Sequence, residues 1–354
     1  MGKHSEKKKN NKVLKIFLRI LLILIILIVI LAGIAVGYIS NKLGKLNVEK
    51  IDETAIGIDE NTKNRLSGFR NIALLGIDSR ADDYGVGNRS DCIIIASLNE
   101  KTKQIKLISV YRDTYMQMER KGSTILDKIT HAYAYGGAQN TLKALNTNLD
   151  LNISEYVTVN FDAVISAVDA MGGITINVDS SEIQYINKYI NDYIAESSNR
   201  LDVEPTLITK TGSQTLSGVQ AVAYSRVRYT AGGDYKRSER MRTVIEAMLT
   251  KAKTLSIGQL NNLVDTVLPR ISTNISGTEI LSLLPSIASY EIVDSEGWPY
   301  KTEGVTLDKW YGVPVTLESN VVQLHQEVFG QTDYVVDDTV KQISQEIINK
   351  TGKK

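Results

Sequence analysis

The sequence predicts an α/β fold in which one β-sheet carries helices on both faces. Three short runs, Asn71–Ile77, Cys92–Leu98 and Ile105–Tyr111, are rich in β-branched residues and bounded by polar turns. Such runs are typical of strands buried on both faces. Further along, strand and helix patterns alternate, and no Pro/Gly/Ser-rich linker interrupts them. We therefore expect a single domain over residues 67–345.

The elements follow in order along the chain. The polar segment Asn99–Gln104 joins the second and third strands and predicts that they are antiparallel neighbours. The other predicted elements are a helix over Gly137–Leu149, a strand over Tyr156–Asn160, a helix over Phe161–Met171, a strand over Ile174–Val178, a polar segment over Asp179–Gln214, and helices over Leu216–Arg228, Tyr235–Thr254, Gly258–Leu268, Thr278–Tyr290, Ser319–Phe329 and Asp337–Ile348.

A membrane-spanning helix is predicted before the domain, at residues 20–39. The stretch Ile20–Gly37 is uncharged and almost wholly apolar, close to the ~20 residues that cross a bilayer. A basic tail over residues 1–19 precedes it, so the positive-inside rule predicts a cytoplasmic N-terminus and an extracytoplasmic domain. A cleaved signal peptide is the alternative, but its apolar region is normally ~7–15 residues long. Residues 40–66 are predicted as a stalk and residues 346–354 as a tail.

The charge distribution argues against a nucleic-acid partner. The formal net charge is +1, and residues 1–19 contribute +6 from seven Lys/Arg and one Glu, which leaves −5 for the rest. Nucleic-acid-binding domains are usually basic. The one cysteine, Cys92, excludes an intramolecular disulfide and is expected to be a small buried apolar residue.

An arginine cluster in SRVRYTAGGDYKRSERMR predicts an oxyanion site. Arg is the side chain best shaped to hold phosphate oxygens bidentately. We expect the two glycines to separate two helices, and Asp234 to cap the second helix. The alternative is a solvated helix end with ion pairs, and the last arginine is expected to be only a helix-surface charge. The cluster consists of Arg226, Arg228, Arg237, Arg240 and Arg242.

Aspartates and arginines also occur at the predicted strand ends, where ligands of open α/β sheets gather. They are Asp78 and Arg80 after the first strand, Arg89 and Asp91 before the second, and Arg112 and Asp113 after the third. Two carboxylates with several arginines indicate a metal–diphosphate site, because Mg²⁺ binds one or two carboxylates and shares phosphate oxygens. Arginines would neutralise the charge of a transferring phosphoryl group.

Other chemistries have less support. The motif GxxxxGK[ST] of phosphate-binding loops is absent. The only histidines are His4, His131 and His325, so a zinc site or a Ser-His-Asp triad would depend on scattered residues. We expect His131 to be a packed residue.

Several motifs occur together in an order that resembles the LytR-CpsA-Psr family. They are NIALLGIDSR, the Arg89-Ser90-Asp91 step, SVYRDTY, KITHAYAYGG, and AYSRVRYTAGGDYKRSERMR. The resemblance covers about residues 67–345. It implies a three-layer α/β/α domain with a central mixed β-sheet, anchored in the membrane of a Gram-positive-type envelope by one N-terminal helix.

The resemblance also implies a function. Members of the family move a glycopolymer, such as teichoic acid or capsular polysaccharide, from undecaprenyl diphosphate to the C6 hydroxyl of N-acetylmuramic acid in peptidoglycan. An apolar pocket would hold the polyprenyl chain. By motif, Asp78 and Asp91 would hold Mg²⁺. The catalytic residues would be Arg112, Asp234 and Arg237, and the diphosphate would be bound by Arg80, Arg89, Arg226, Arg228 and Arg240.

The sequence departs from the family pattern at three positions. Tyr111 stands where Pro is common, Cys92 where Thr is frequent, and Met241 where Gln is frequent. A polyprenyl-diphosphate hydrolase and a non-catalytic envelope regulator are the alternative functions.

Overall fold

The computed structural model describes residues 44, 46–79, 83–197, 206–283, 286 and 289–354. The predicted basic tail, membrane-spanning helix and Arg80 lie outside the described residues. Among the residues that are described, no helix is long and apolar enough to cross a membrane.

The described residues form thirteen strands, and seven of them build a central mixed sheet in the order β1-β10-β7-β2-β3-β4-β11. Pairs β1–β10, β7–β2 and β4–β11 are parallel, and the others are antiparallel. The strands are β1 (Asn47–Val48), β2 (Phe69–Ile77), β3 (Ser90–Asn99), β4 (Gln104–Val110), β5 (Tyr115–Arg120), β6 (Ser123–Lys128), β7 (Glu155–Val159), β8 (Ile174–Val178), β9 (Gly212–Leu216), β10 (Ile271–Thr273), β11 (Glu291–Trp298), β12 (Thr302–Thr306) and β13 (Trp310–Pro314).

Ten α-helices surround the sheet in the described part of the chain. They are α1 (Glu60–Arg65), α2 (Thr130–Leu149), α3 (Phe161–Ala170), α4 (Ser180–Ser197), α5 (Gly218–Arg226), α6 (Gly233–Ala252), α7 (Ile257–Val267), α8 (Gly277–Leu283), α9 (Leu317–Phe329) and α10 (Asp338–Thr351).

Both faces of the sheet are covered by helices, as predicted. Successive side chains of a strand point to opposite faces. Leu75 of β2 belongs to a core with α2, α9 and α10, whereas its neighbour Leu74 packs with Met241 and Ile245 of α6 on the other face. The sheet therefore lies between two helical layers, and the predicted antiparallel pairing of β3 and β4 is confirmed.

The strand predicted at Ile174–Val178 forms, but it is not part of the central sheet. It pairs with β9 in a separate two-stranded sheet. The segment predicted only as polar contains the helix α4. Ile186 and Ile190 of α4 are fully buried in a second core with β8, β9 and α5, so β8 belongs to this second core.

Both predicted domain ends differ from the structure. Residues 47–48 pair with β10, and Ile56 and Leu66 have no exposed surface. The Asn146 side chain donates a hydrogen bond to the Ile56 carbonyl at 2.9 Å. At the other end α10 runs through the predicted tail, with Ile347 only 1% exposed. Much of the predicted stalk and tail is thus packed into the domain.

Burial of His325 predicts that acid destabilises the fold. Its ring is fully buried and stacks on Tyr334 with centroids 3.8 Å apart. Burial lowers the pKa of His325, although its hydrogen-bond partners, the Leu149 carbonyl and Gln331, oppose that shift. Because the lowered pKa favours the neutral ring in the fold, this stability is present above the unfolded-state pKa of about 6.5 and is lost as pH falls below it.

The test is urea unfolding of the full-length protein between pH 7.5 and pH 5. We expect the free energy of unfolding to fall with pH more steeply for the wild type than for His325→Phe. Equal slopes for the two proteins would contradict the expected protonation of His325 on unfolding.

Candidate active site

A β-bulge places Asp91 at the end of the sheet. Gly76 is opposite Cys92 and Ile77 is opposite Ser90, so Asp91 is an extra residue on β3 without a partner on β2. A bulge changes the direction of the side chain that it carries. The bulge needs glycine at position 76, because a Cβ there would be 2.8 Å from the Cβ of Cys92.

Four predicted residues meet at this edge in a closed ring of ion pairs, which we call the charge ring. Arg112, just after β4, contacts Asp91 at 3.1 Å and Asp234 at 3.2 Å. Arg237 of α6 contacts the same two carboxylates at 3.4 and 3.5 Å. The ring therefore joins β3, β4 and α6, which are far apart in sequence.

Two members of the ring, Asp91 and Arg112, are held in their charged forms. Burial alone would raise the pKa of Asp91, but Arg237 and Arg112 outweigh burial and keep that pKa below its usual range. Burial likewise acts to lower the pKa of Arg112, yet Asp91 and Asp234 leave it above its usual range. The contacts in the ring thus favour the carboxylate form of Asp91 and the cationic form of Arg112.

The start of α6 differs from the prediction in one detail. The N-cap is Gly232, with φ of 92°, and Asp234 lies within the first turn, so the predicted capping role of Asp234 is wrong. Gly232 and Gly233 both have left-handed backbone conformations, which allow the chain to turn sharply where α6 begins. A carboxylate in a first turn is favoured by the helix dipole, and here it also contacts Arg112 and Arg237.

Arg226 and Arg228 are placed on aromatic rings at the end of α5. The Arg226 guanidinium lies 5.0 Å from the Phe161 centroid and 4.9 Å from that of Tyr189. Arg228 lies 5.8 Å from the Tyr229 centroid. No ion pair of either arginine is found within the described ranges. Both guanidiniums therefore keep their donors for another partner.

Arg240 is placed differently from the other predicted ligands. It is 3% exposed and donates to Glu182 at 2.7 Å, to the Val227 carbonyl at 2.9 Å and to the Thr230 hydroxyl at 2.7 Å. These bonds hold the α5–α6 connection rather than point at the charge ring. Arg242, predicted as a surface charge, is in fact buried and donates to Ser295 at 3.0 Å.

Asp78 and Arg89 are exposed at the rim beside the charge ring. The Asp78 N–H donates to the Arg89 carbonyl at 3.3 Å across the β2–β3 connection. The charge of Arg89 also contributes to the lowered pKa of Asp91. The exposed residue Asp78 and the bulged Asp91 thus lie at the same end of the sheet.

The carboxylates present fit a metal ion that is shared with phosphate. Within the described residues, no group of three or more His, Cys, Asp or Glu side chains could enclose a metal by itself. Mg²⁺ commonly uses one or two carboxylates and completes its shell with phosphate oxygens and water. Asp78 and Asp91 supply that number of hard oxygen ligands at one edge.

An apolar cavity of about 220 Å³ ends at Asp91. It lies between β2, β3 and β7 on one side and α3, α5, α6 and α7 on the other. Its lining is Leu74, Leu75, Gly76, Ile77, Asp91, Cys92, Val157, Val159, Asn160, Phe161, Ala163, Val164, Ala167, Val222, Ser225, Met241, Val244, Ile245, Met248 and Val267. Burial raises the pKa of the Cys92 thiol to about 12, so this thiol stays neutral.

Sequence reasoning missed two residues beside the charge ring. The Thr130 hydroxyl contacts Asp91 at 3.5 Å, and Lys128 forms an ion pair of 2.8 Å with Asp113. The predicted packed histidine, His131, contacts the buried carboxylate of Asp127 at 2.9 Å. The sequence does not show which carboxylate a polar residue beside a motif will contact. Spacing alone therefore could not identify Lys128 or Thr130.

Known proteins resemble this chain along most of its length. The model of the LytR_cpsA_psr family matches residues 38–325. The polyisoprenyl-teichoic acid–peptidoglycan teichoic acid transferase TagT of Bacillus subtilis is 30% identical over 318 residues, which are 86% of this chain and 93% of TagT. The TagU transferase of Enterococcus faecalis is 33% identical over 58% of this chain and 61% of TagU.

Solved structures share the fold. A Streptococcus agalactiae protein, gbs0355, has a TM-score of 0.63 at 24% identity and covers 79% of this chain and 94% of its own. TagT bound to LIIa-WTA has a TM-score of 0.54 at 23% identity, covering 86% and 95%. With the family model spanning most of the domain and its motifs meeting in the charge ring, the chain belongs to the LytR_cpsA_psr family.

Proposed function

We propose that this protein transfers a glycopolymer from a polyprenyl diphosphate to peptidoglycan. The observation that carries the proposal is the apolar cavity that ends at the charge ring. A ligand that fits both parts has a long apolar chain and a phosphate-rich head. Relatives at about 30% identity are named as polyisoprenyl-teichoic acid–peptidoglycan teichoic acid transferases, which supports this class of donor and acceptor.

The chain's residues would act by positioning and charge neutralisation. Arg112 and Arg237 would bind the diphosphate oxygens. Asp78 and Asp91 would hold Mg²⁺, which would supply further neutralisation of phosphate charge when bound. Asp234, whose side chain is one-third exposed, would accept the proton of the attacking hydroxyl. No protein nucleophile is required.

The finer proposal names the substrates and the location. The carrier would be undecaprenyl diphosphate, the acceptor the C6 hydroxyl of N-acetylmuramic acid, and the polymer a teichoic acid or capsular polysaccharide. The apolar segment at residues 20–39 would anchor the protein with this domain outside the cell. An anchored domain would keep the cavity close to a lipid-linked donor.

Donor affinity is expected to depend on the length of the prenyl chain. Each buried CH₂ contributes about 0.8 kcal/mol, so longer polyprenyl diphosphates would bind more tightly until the cavity is full. Val164→Trp would occupy part of the cavity and reduce that dependence. The measurement is a binding series from geranyl to geranylgeranyl diphosphate by calorimetry, with Val335→Ala as a control at an exposed position outside the cavity lining.

The function is tested with full-length protein in detergent, a lipid-diphosphate-linked sugar, and Mg²⁺, with and without peptidoglycan. We expect sugar phosphate to become attached to peptidoglycan and polyprenyl phosphate to be released only when the acceptor is present. Release of free sugar phosphate at the same rate without acceptor would favour a hydrolase. Neither product, with intact donor binding, would favour a non-catalytic regulator. Arg120→Ala, on the exposed end of β5, is the control.

A further inference from the structure

Two exposed aromatic side chains lie beside the charge ring. Trp310 is 45% exposed and Tyr235 is 42% exposed, whereas the other tryptophan, Trp298, is completely buried. Aromatic rings contribute large contact areas when covered, and exposed apolar surface at a site commonly marks recognition. The side chain of Tyr235 is hydrogen-bonded to that of Thr302, and the Thr302 hydroxyl and the Trp310 indole both lie beside Gly312. We call the surface formed by Tyr235, Thr302 and Trp310 the aromatic shelf.

The indole of Trp310 is held flat on the β12–β13 hairpin. A Cβ added at Gly304 would be 2.7 Å from the indole Nε1, and one added at Gly312 would be 3.7 Å from its Cη2. The ring therefore lies across two glycines of the hairpin. Its inner side contacts backbone, and its exposed surface is available to a ligand.

The hairpin is attached to the segment that carries Arg112. The Gly312 N–H donates to the Asp113 carbonyl at 3.0 Å. The Asp113 carboxylate is 2.8 Å from the ammonium of Lys128, which lies 5.9 Å from the centroid of a Trp310 ring. A positive and a negative group thus line the shelf next to the charge ring.

Tyr235 connects the shelf to Asp234 of the charge ring. It follows Asp234 directly and packs edge-on against Tyr111, with centroids 4.6 Å apart. Neither Tyr235 nor any other shelf residue lines the apolar cavity. The cavity meets the charge ring at Asp91, whereas the shelf meets it at Asp234 and, through Asp113, at Arg112, which lies 3.7 Å from the Asp113 carboxylate.

We propose that the aromatic shelf binds a sugar ring of the glycan acceptor. This inference rests on the proposed transferase function. Phosphoryl transfer requires the attacking and leaving oxygens roughly in line. The leaving phosphate belongs to the lipid in the cavity, so the acceptor must approach from elsewhere. A pyranose offers C–H groups to an aromatic face and hydroxyls to flanking charges such as Lys128 and Asp113.

Tryptophan emission gives a direct test on the full-length protein in detergent. Because Trp298 is buried, quenching by acrylamide reports mainly on Trp310. We expect a soluble, uncross-linked peptidoglycan strand to protect the wild type from quenching. In transfer assays, Trp310→Ala would raise the KM for that strand about three- to tenfold, as expected for loss of one aromatic contact. Its affinity for geranylgeranyl diphosphate would equal that of the wild type, and Trp310→Phe would be intermediate.

Leu307→Ala is the matched control, since Leu307 is 43% exposed in the turn of the same hairpin. Two results together would overturn the proposed role of the shelf while leaving the transferase function intact. They are an unchanged acceptor KM for Trp310→Ala, and a wild type that the strand does not protect from quenching. Protection by the strand without any transfer would support the shelf and contradict the proposed function. A weaker affinity of Trp310→Ala for the lipid-diphosphate-linked sugar, with unchanged affinity for geranylgeranyl diphosphate, would assign the sugar contact to the donor and overturn the inference.

Discussion

Arg112→Ala is expected to reduce the turnover of glycopolymer transfer by about 10³- to 10⁵-fold, the range seen when a phosphoryl-transfer site loses a charge-stabilising arginine. Arg112 contacts both Asp91 and Asp234, and its side chain is one-fifth exposed. The measurement is single-turnover transfer at saturating donor, which separates the chemical step from binding.

Arg112→Lys sharpens this test because lysine keeps the charge but loses the planar fork that bridges two carboxylates. We expect Arg112→Lys to recover only a small part of the lost turnover. Asp91→Asn should also be severely impaired, since it removes one proposed ligand of Mg²⁺ and a partner of both arginines. Near wild-type turnover in Arg112→Ala, with an unchanged melting temperature, would exclude this arginine from the reaction.

Arg240→Ala is expected to lower the free energy of unfolding by about 3–5 kcal/mol. Arg240 and Glu182 are almost fully buried, with side-chain exposures of 3% and 8%. Removal of the guanidinium leaves the carboxylate buried without its cation, and it frees the Val227 carbonyl and the Thr230 hydroxyl. Urea unfolding of the full-length protein gives the change directly.

A double variant separates the free-energy cost of a buried charge without its partner from the loss of packing. Arg240→Met combined with Glu182→Leu should be considerably more stable than Arg240→Ala, because no buried charge is left alone. Lys236→Ala is the control from the same helix, since the Lys236–Glu239 pair is exposed and such pairs contribute only about 0–1 kcal/mol. A loss below 1 kcal/mol in Arg240→Ala would contradict the structural role.

Much of the domain could be predicted because its strongest signals are local. The runs that became β2, β3 and β4 are apolar and bounded by polar turns, and these features survive in any tertiary context. The same holds for α3, where Asn160 caps the helix by accepting from the Ala163 N–H at 2.8 Å. The Asp and Arg residues that meet in the charge ring could also be singled out from the sequence, because each lies at or near a strand or helix end; their roles stay a prediction.

The remaining features depend on contacts that spacing does not encode. Polar residues outnumber the apolar ones in α4, and the helix is identified only when Ile186 and Ile190 are seen buried in the second core with β8 and α5. Arg240 and Arg237 look equivalent in sequence, three residues apart on one helix, yet Glu182 from α4 binds one and Asp91 from β3 binds the other. The exposed position of Trp310 likewise depends on Gly304 and Gly312, because the indole lies across these two residues, which have no side chains.

The closed charge ring limits which anions can bind at this edge of the sheet. Arg112 has three carboxylate partners and Arg237 has two, so a simple monovalent anion has to compete with aspartates for every contact. A ligand that brings a divalent cation offers the aspartates a new partner at the same moment as it offers phosphate oxygens to the arginines. We therefore expect the site to bind chloride or acetate from the medium only weakly, and to bind a metal ion and a diphosphate together.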